Sequence, residues 1–383
     1  MEFDFLAPVD TEILDFISGL SSQQLGSKIV LHTEKQFPDV NKIKIALIGV
    51  LENRGSKTAI SEVDLIAVRK ELYGLYPGNW DASIADLGDI LAGNTVEDTY
   101  FALRKVASAL IKKKIIPIVI GGSQDLTYAL YRAYDDLEQM VNLVAIDSKF
   151  DFGKESEEVS ATSYLTKIII DEPNNLFNYC NIGYQTYYNS QEEIDLVEKL
   201  FFDGYRLGEV SNNISISEPV FRDADLVSLD LNSVKSADSG NFVSFSPNGF
   251  NGKEICSLSR YAGISDKVSL FGIFNHNNSV QESAIIAQII WYFIEGFHYR
   301  SNEYPFGSRE NYLKYIVPLE EEELVFYKSN KTDRWWIEIP FISNGNNKLK
   351  RNTLLPCSYE EYLAACNQEL PERWWKAQRK NII

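Results

Sequence analysis

Three short, uninterrupted apolar runs limit the folds open to this chain: residues 45–50, 115–120 and 143–146. None of them alternates apolar with polar residues, so each predicts a strand that is covered on both faces, as in a parallel sheet. Further strand-like and helix-like segments alternate across residues 42–297. This alternation predicts an α/β fold in which helices cover both faces of a mostly parallel sheet.

The chain has 383 residues, which suffice for one large α/β domain with an appendage. The alternating pattern predicts that this domain spans residues 42–299. Residues 1–41 have mixed polarity and predict a helical lead-in. Residues 300–383 follow a different pattern and predict a C-terminal α+β extension.

In the extension, residues 324–328 and 334–341 predict two strands joined by a polar turn. Ser358 and Glu361 have the spacing of a capping box, which predicts a helix that stops at Pro371.

Four tryptophans in the extension stand next to arginines or a lysine: Trp335, Trp336, Trp374 and Trp375. One interpretation is that they cover a flank of the main domain. The other is an interface with a protein partner or another subunit, because Trp and Arg are enriched where binding energy concentrates.

Charge and cysteine content exclude several classes of protein. The net charge is −17, from 54 acidic and 37 basic residues, which argues against a general nucleic-acid or anionic-membrane binder. The acidic start lacks the basic region of a signal peptide, and the most apolar segment, residues 285–294, is too short to insert across a membrane. The four cysteines are scattered, which is typical of reduced thiols. We therefore expect a cytoplasmic location.

Polar clusters follow three of the predicted strands. One contains Gln124, the second contains Asp147, Lys149 and Asp151 at alternate positions, and the third contains Asp230. Ligands in parallel sheets bind beyond the carboxyl ends of the strands, so these clusters are expected to converge. Two carboxylates ~4 Å apart repel by roughly 4 kcal/mol at an effective dielectric constant of ~20. A cation must lie among them, or at least one carboxyl must hold a proton.

Residues 121–125, 147–151 and 228–232 resemble the metal-binding motifs of the ureohydrolases, the family of arginases, agmatinases and formimidoylglutamases. The similarity extends over most of residues 42–297. It implies a three-layer α/β/α sandwich around a mostly parallel sheet of about eight strands. It also implies hydrolysis of guanidino or formimino groups by a hydroxide that bridges two Mn²⁺ ions.

Both ligand histidines that the resemblance implies are replaced. Gln124 stands in the position of one and Lys149 in the position of the other. The chain has three histidines, His32, His276 and His298, and none of them falls in a ligand position.

Other expected residues are also replaced. Asn232 stands where the resemblance implies an aspartate, and residues 235–236 replace an expected Asp-Pro. The histidine of a catalytic loop is missing from residues 160–163, and no acid stands near Asn275, where a late glutamate is expected.

The surviving ligands limit the metal chemistry. Asp147, Asp151 and Asp230, with the amide oxygen of Gln124, form an all-oxygen set that suits Mg²⁺, Ca²⁺ or weakly held Mn²⁺. Lys149 is expected to act as an internal counter-ion. Without two metals no bridging hydroxide forms at neutral pH. We therefore expect no metal cofactor; the alternative is manganese or another divalent cation.

These residues lead to three functional hypotheses. The first is a catalytically inactive pseudoenzyme with a degenerate binuclear site, kept for binding, assembly or regulation. The second is a divergent hydrolase of linear amidines, of the formimidoylglutamase or arginase type. The third is a scaffold that acts through its tryptophan-rich extension. A protein partner is expected, and the resemblance adds self-association.

Overall fold

The protein is described here from a computed structural model that covers residues 2–56, 62–79, 83–137, 139–154, 156–303, 310–320, 322–339 and 354–382. These residues form one large sheet and one small sheet, with helices on both faces of the large one. The predicted α/β class is confirmed.

Ten strands form the large sheet: β1 (Leu6–Ala7), β2 (Val30–Leu31), β3 (Ile45–Val50), β4 (Ile84–Ile90), β5 (Ile116–Gly121), β6 (Val141–Ile146), β7 (Leu176–Tyr184), β8 (Asp203–Arg206), β9 (Leu226–Asp230) and β10 (Leu270–Phe274). Their order is β1-β4-β3-β5-β10-β9-β6-β7-β8, and β2 pairs with β4. Only β1 pairs in the antiparallel sense among these described strands. The eight strands from β4 to β8 in this order are the parallel sheet that the resemblance implied.

Eleven α-helices belong to the same part of the chain: α1 (Thr11–Ser18), α2 (Ile66–Gly74), α3 (Val96–Lys112), α4 (Leu126–Arg132), α5 (Tyr164–Ile170), α6 (Gln191–Lys199), α7 (Leu207–Asn212), α8 (Glu218–Asp223), α9 (Ser236–Ser239), α10 (Gly252–Ile264) and α11 (Val280–His298). Two apolar cores lie between helices and sheet. In β3, Ile45 and Leu47 face the core under α2, α10 and α11, while Ala46 and Ile48 face the core under α3 and α4. The three-layer sandwich follows from this alternation. None of the described helices is both long enough and apolar enough to cross a bilayer.

The lead-in contains the expected helix, α1, but it also adds strands β1 and β2 to the sheet. Leu6 pairs with Ile90 and is buried, and the backbone N–H of His32 donates to the Asp86 carbonyl at 2.8 Å. Two-residue strands carry too little periodicity to be recognised in a sequence. The lead-in is therefore built into the main domain.

The extension contains a second, antiparallel sheet with two helices: β11 (Tyr312–Pro318), β12 (Glu323–Ser329), β13 (Trp335–Glu338), β14 (Leu354–Cys357), α12 (Tyr359–Cys366) and α13 (Glu372–Ile382). The predicted hairpin is β12–β13, and the predicted capping box of α12 is present. Residues 340 and 341 of the predicted second strand lie outside the described residues. Strands β11 and β14 and helix α13 were not predicted.

The tryptophans of the extension pack within the chain. Trp335, Trp336 and Trp374 are buried, and the indole N–H of Trp374 donates to the Glu338 carbonyl at 2.7 Å. Trp375 is half-buried, and its ring lies 5.5 Å from that of Phe201 in the main domain. A partner contact through these tryptophans stays a prediction, and Trp375 keeps the most side-chain surface for it.

Arg222 of helix α8 joins the main domain to the extension. Its buried guanidinium donates to the Trp335 carbonyl at 3.1 Å and to the Cys357 carbonyl at 2.8 Å. It also pairs with Glu218 at 3.0 Å and lies 4.8 Å from the Trp336 ring. One side chain therefore satisfies carbonyls on two strands of the small sheet.

Replacing Arg222 with Ala is expected to lower the free energy of unfolding by about 2–4 kcal/mol, because two buried carbonyls lose their donor. The measurement is urea unfolding followed by tryptophan fluorescence. Arg260→Ala is the matched control, since the Arg260–Glu295 pair lies near the surface and is expected to contribute less than about 1 kcal/mol. Equal losses in the two variants would contradict this role of Arg222.

Candidate functional site

Four adjacent strands, β5, β10, β9 and β6, end at the same edge of the sheet. Their register aligns Ile273 with Ile120, and Phe274 with Asp230. The turn after β5 then folds against the segment after β3, where a Cβ on Gly122 would lie 1.8 Å from the Glu52 carbonyl oxygen. Only glycine allows this close approach. The three polar clusters consequently meet at one place.

Gln124 and Asp147 are both buried and in direct contact. The Gln124 amide nitrogen Nε2 donates to Asp147 Oδ2 at 2.7 Å and lies 3.2 Å from the hydroxyl of Tyr164. The backbone N–H of Lys149 donates to Asp147 Oδ1 at 2.9 Å. Both oxygens of this carboxyl therefore accept from N–H donors. A metal-ligating histidine would present a lone pair where Gln124 presents a donor.

The carboxyl of Asp230 also accepts hydrogen bonds from N–H donors. Its Oδ1 accepts from the backbone N–H of Asn232 and from Nδ2 of Asn275, each at 2.8 Å. Asn275 has a φ of 63°, in the left-handed region, and its backbone N–H donates to the Gly122 carbonyl at 2.6 Å. Asn275 therefore lies in the site, as the sequence position of the missing acid suggested, and acts as a donor.

Asp151 completes the carboxyl cluster. Its φ of 57° also lies in the left-handed region, which costs a non-glycine residue on the order of 1–3 kcal/mol and is typical of functional sites. Its carboxyl hydrogen-bonds to that of Asp147. Its Oδ2 is buried, and no N–H or hydroxyl group of the described residues donates to it.

Protons neutralise part of this cluster. Burial raises the pKa of the Asp147, Asp151 and Asp230 carboxyls, and the charge of Asp147 raises the pKa of the other two further. The pKa of Asp151 lies well above its usual range, and that of Asp230 is about 8. At neutral pH the cluster therefore holds protons in the absence of a cation.

Lys149 does not lie among the three carboxyls, but its positive charge opposes the rise in the pKa of Asp147, Asp151 and Asp230, so its role as a counter-ion stays a prediction. Its side chain is exposed, and its Nζ lies 5.6 Å from the centre of the Tyr188 ring. It forms no ion pair with any of the three carboxyls described above. Burying an ammonium costs several kcal/mol of hydration, whereas the face of an exposed aromatic ring stabilises a cation that stays in water.

A cavity of about 380 Å³ opens onto this cluster. Its lining combines acids and amides with aromatic and small polar side chains: Ser56, Ser148, Lys149, Asp151, Ala161, Thr162, Tyr188, Asp230, Asn232, Ser244, Phe245, Ser246 and Asn275. Ala161 and Thr162 belong to the stretch in which the resemblance implied a catalytic histidine, and the structure brings that stretch to the site. Sequence reasoning missed Tyr188 and Phe245, because neither belongs to a strand-end motif.

The donor set does not fit a binuclear manganese centre. Asp147, Asp151, Asp230 and Gln124 Oε1 supply only oxygen, and the N–H donors around them already occupy several of these oxygens. His276 follows the site residue Asn275 directly in sequence. Its Nε2 lies 3.4 Å from Ser283 Oγ on α11. The remaining oxygens suit at most one hard cation.

The sequence model of the arginase family matches residues 48–239, just over half of the chain. The chain belongs to the arginase family. The matched segment contains all three strand-end clusters, so family membership covers the site as well as the fold.

Individual members of the arginase family are distant relatives. The formimidoylglutamase of Geobacillus sp. (strain WCH70) is 26% identical over 248 residues, which cover 61% of this chain and 75% of that protein. The formimidoylglutamase of Lysinibacillus sphaericus is 26% identical over 157 residues, 40% of this chain and 48% of that protein. The match thus spans about half the length of the Lysinibacillus relative.

Solved arginase-family structures share the fold. The formiminoglutamase of Trypanosoma cruzi with Mn²⁺ has a TM-score of 0.63 at 18% identity, covering 72% of this chain and 99% of that one. The formimidoylglutamase of Bacillus subtilis has a TM-score of 0.61 at 17% identity, covering 70% and 91%. The T. cruzi structure contains Mn²⁺, and the expected absence of metal from this chain stays a prediction.

The raised pKa of Asp230 predicts how stability depends on pH. An acid whose folded-state pKa exceeds its unfolded-state value, here about 8 against about 4, binds its proton more tightly when folded. Its contribution to stability is complete below about pH 4 and is lost as the pH rises through about 8. In EDTA, the free energy of unfolding of the wild type should therefore fall from pH 5 to pH 9, and Asp230→Asn should flatten this fall.

Urea unfolding at pH 5, 7 and 9 measures this dependence. Asp136→Asn is the control, because Asp136 is exposed and its replacement should change the free energy of unfolding by less than about 0.5 kcal/mol at each pH. A wild-type pH profile that Asp230→Asn leaves unchanged would contradict the protonated cluster.

Proposed function

We propose that this arginase-family protein is a pseudoenzyme: it no longer performs two-metal hydrolysis and serves in binding, assembly or regulation. The observation that carries the proposal is the 2.7 Å hydrogen bond from Gln124 Nε2 to Asp147 Oδ2. A donor stands there where two-metal chemistry needs an acceptor. Asn275 likewise donates to Asp230, from the position where the resemblance implies an acid.

The chemistry explains why these replacements abolish the reaction. A nucleophilic hydroxide at neutral pH requires metal ions that lower the pKa of bound water to about 7. Carboxyls that hold protons and accept from amides are poor ligands.

The four cysteines are free and support the cytoplasmic location that the sequence predicts.

Elemental analysis of protein purified from manganese-supplemented cells tests this proposal. We expect well under one Mn²⁺ per chain. We also expect no release of formamide or urea from N-formimino-L-glutamate, arginine or agmatine. About two ions per chain together with turnover would overturn the proposal.

A second candidate function is a one-ion hydrolase of linear amidines. It is favoured by two buried acceptors to which no N–H or hydroxyl group of the described residues donates, Gln124 Oε1 and Asp151 Oδ2, and by the formimidoylglutamase relatives. This function predicts formamide or urea release that depends on Mg²⁺ or Mn²⁺. Asp147→Ala should abolish it, whereas the surface variant Asp136→Asn should not. Turnover that survives Asp147→Ala would exclude this site as its source.

Restoring the ligands should restore metal binding. The triple variant Gln124→His, Lys149→His, Asn232→Asp removes the donor that faces Asp147 and adds two imidazoles and a carboxylate. Calorimetric titration with Mn²⁺ is expected to show an affinity at least tenfold above that of the wild type. The same triple variant carrying Asp147→Ala is the control and should lose that gain. If the triple variant binds no better than the wild type, the assignment of these positions is wrong.

A further inference from the structure

A second cavity, which we call the junction cavity, lies where the extension meets the main domain. Its volume is about 400 Å³, and helices α6 and α13 and strand β8 contribute to its lining. Protein interiors contain few voids larger than a water molecule, so this space is larger than a packing defect. Volumes of this order are typical of small-molecule sites, which often lie between domains. No carboxyl of the strand-end cluster belongs to the described lining.

Aromatic rings form most of the apolar wall of the junction cavity: Phe150, Tyr184, Phe201, Phe202 and Trp375. The ring centres of Phe150 and Tyr184 lie 4.9 Å apart, and the planes are tilted by 33°. Those of Phe201 and Trp375 lie 5.5 Å apart, with the planes at 76°. Aromatic rings attract one another at such separations in offset or edge-to-face arrangements. A flat aromatic ligand would add contacts of the same kind.

Phe201 has a backbone conformation that phenylalanine rarely adopts. It follows the C-cap of α6, and its φ of 56° lies in the left-handed region. Its backbone N–H donates to the Glu198 carbonyl at 3.0 Å. The backbone N–H of Phe202 donates to the Val197 carbonyl at 2.9 Å. This pair of bonds is typical of a helix end at which the left-handed residue is usually glycine.

Phenylalanine in place of glycine at this helix end costs conformational free energy, because its Cβ disfavours a positive φ. What the chain gains is the Phe201 ring, which forms part of the cavity wall and contacts Trp375 of α13. Strained backbone conformations concentrate at binding and catalytic sites. The strain at Phe201 therefore supports a function for the junction cavity.

The charged groups of the lining are paired or exposed to water. The ammonium of Lys376 lies 2.7 Å from Glu372 Oε1 and 3.5 Å from Asp203 Oδ1. Glu198, the remaining charged residue of the described lining, is exposed. Moving a charged ligand out of water is costly unless it meets an unpaired charge of opposite sign. The interior of the cavity offers no such charge among the described residues.

Charges around the junction cavity also disfavour ligands of either sign. The Lys380 ammonium lies 5.4 Å from the centre of the Phe202 ring. The Arg379 guanidinium lies 5.4 Å from the centre of the Trp375 ring. A cation against either ring would therefore meet a charge of its own sign, and an anion would meet the two glutamates of the lining. An uncharged ligand avoids both repulsions.

We propose that the junction cavity binds a small, uncharged, fused-ring aromatic molecule. The ligand packs against the rings of Phe150 and Tyr184 from the main domain and of Trp375 from the extension. The segment that matches the arginase family, residues 48–239, contains the first wall but not helix α13. The site therefore needs the extension. This inference goes beyond the proposed function and does not depend on it, because the strand-end carboxyls take no part in the lining.

Calorimetric titration of the full-length protein tests the class of ligand. The probe is 2-naphthol. Its matched analogues are 2-naphthoate, 1-methylquinolinium and 2-decalol, which supply a negative charge, a positive charge and a saturated ring pair of similar size. We expect 2-naphthol to bind with a dissociation constant below about 1 mM, which is within reach of a ligand this small. Each analogue is expected to bind at least tenfold more weakly.

A glycine in the cavity wall allows the space to be filled. A Cβ on Gly204 would lie 3.4 Å from Tyr184 and 3.6 Å from Phe150, which is ordinary van der Waals contact. Gly204→Val should therefore fold, occupy part of the cavity and weaken 2-naphthol binding at least tenfold. Gly208→Val is the matched control and should bind like the wild type, since Gly208 lies outside the lining and its Cβ would meet nothing within 4 Å.

Phe201→Gly separates a binding role of the ring from a packing role. Glycine adopts a φ of 56° without strain, so the relief of strain offsets the lost contact with Trp375. We expect a thermal midpoint within about 3 °C of the wild type and 2-naphthol binding at least tenfold weaker. A lower midpoint with unchanged binding would assign the ring to packing alone and contradict the inference.

Three further outcomes would overturn the inference. The first is no binding of 2-naphthol at millimolar concentration. The second is binding of any of the three analogues as tightly as 2-naphthol, which would make the class of ligand wrong. The third is equal binding by the wild type and a Gly204→Val variant that circular dichroism shows to be folded, which would place the ligand elsewhere.

Discussion

Three carboxyls buried at the ends of neighbouring parallel strands are the constraint on which the site depends. Parallel strands bring their carboxyl ends together, so Asp147, Asp151 and Asp230 cannot be kept apart without changing the sheet. In the arginase fold, metal cations can resolve this repulsion. In this chain, amide donors from Gln124 and Asn275, together with protons, take over part of that task. The three buried carboxyls are therefore partly compensated by hydrogen-bond donors and protons.

The extension packs against the main domain as a separate small sheet with two helices. Its small sheet has its own apolar cores, and the junction depends on polar side chains of the main domain. Arg222 reaches two of its strands, and Asp203 at the start of β8 pairs with Lys376 of α13 at 3.5 Å. Three of the four tryptophans that the sequence offered as interface residues are buried in this packing.

The sequence predicted the sheet and the convergence of the strand-end residues because both follow from periodicity and from the geometry of parallel strands. It did not predict the direction of the Lys149 side chain, since that depends on the cost of hydration and on Tyr188, a residue distant in sequence. Asn275 was expected at the site only by analogy with a missing acid. Its role as a donor to Asp230 depends on a left-handed backbone conformation that no sequence pattern specifies. Strands β11 and β14 were missed because one is largely exposed and the other is four residues long.

The most direct test of the central claim is a crystal structure grown with excess Mn²⁺, with anomalous data collected at the manganese edge. If amide donors and protons have replaced the two-metal centre, the map will show at most one anomalous peak near Asp147, Asp151 and Asp230. The Gln124 side chain will remain hydrogen-bonded to Asp147 if no ion is present. Two strong peaks bridged by Asp147 and Asp230 would contradict the account.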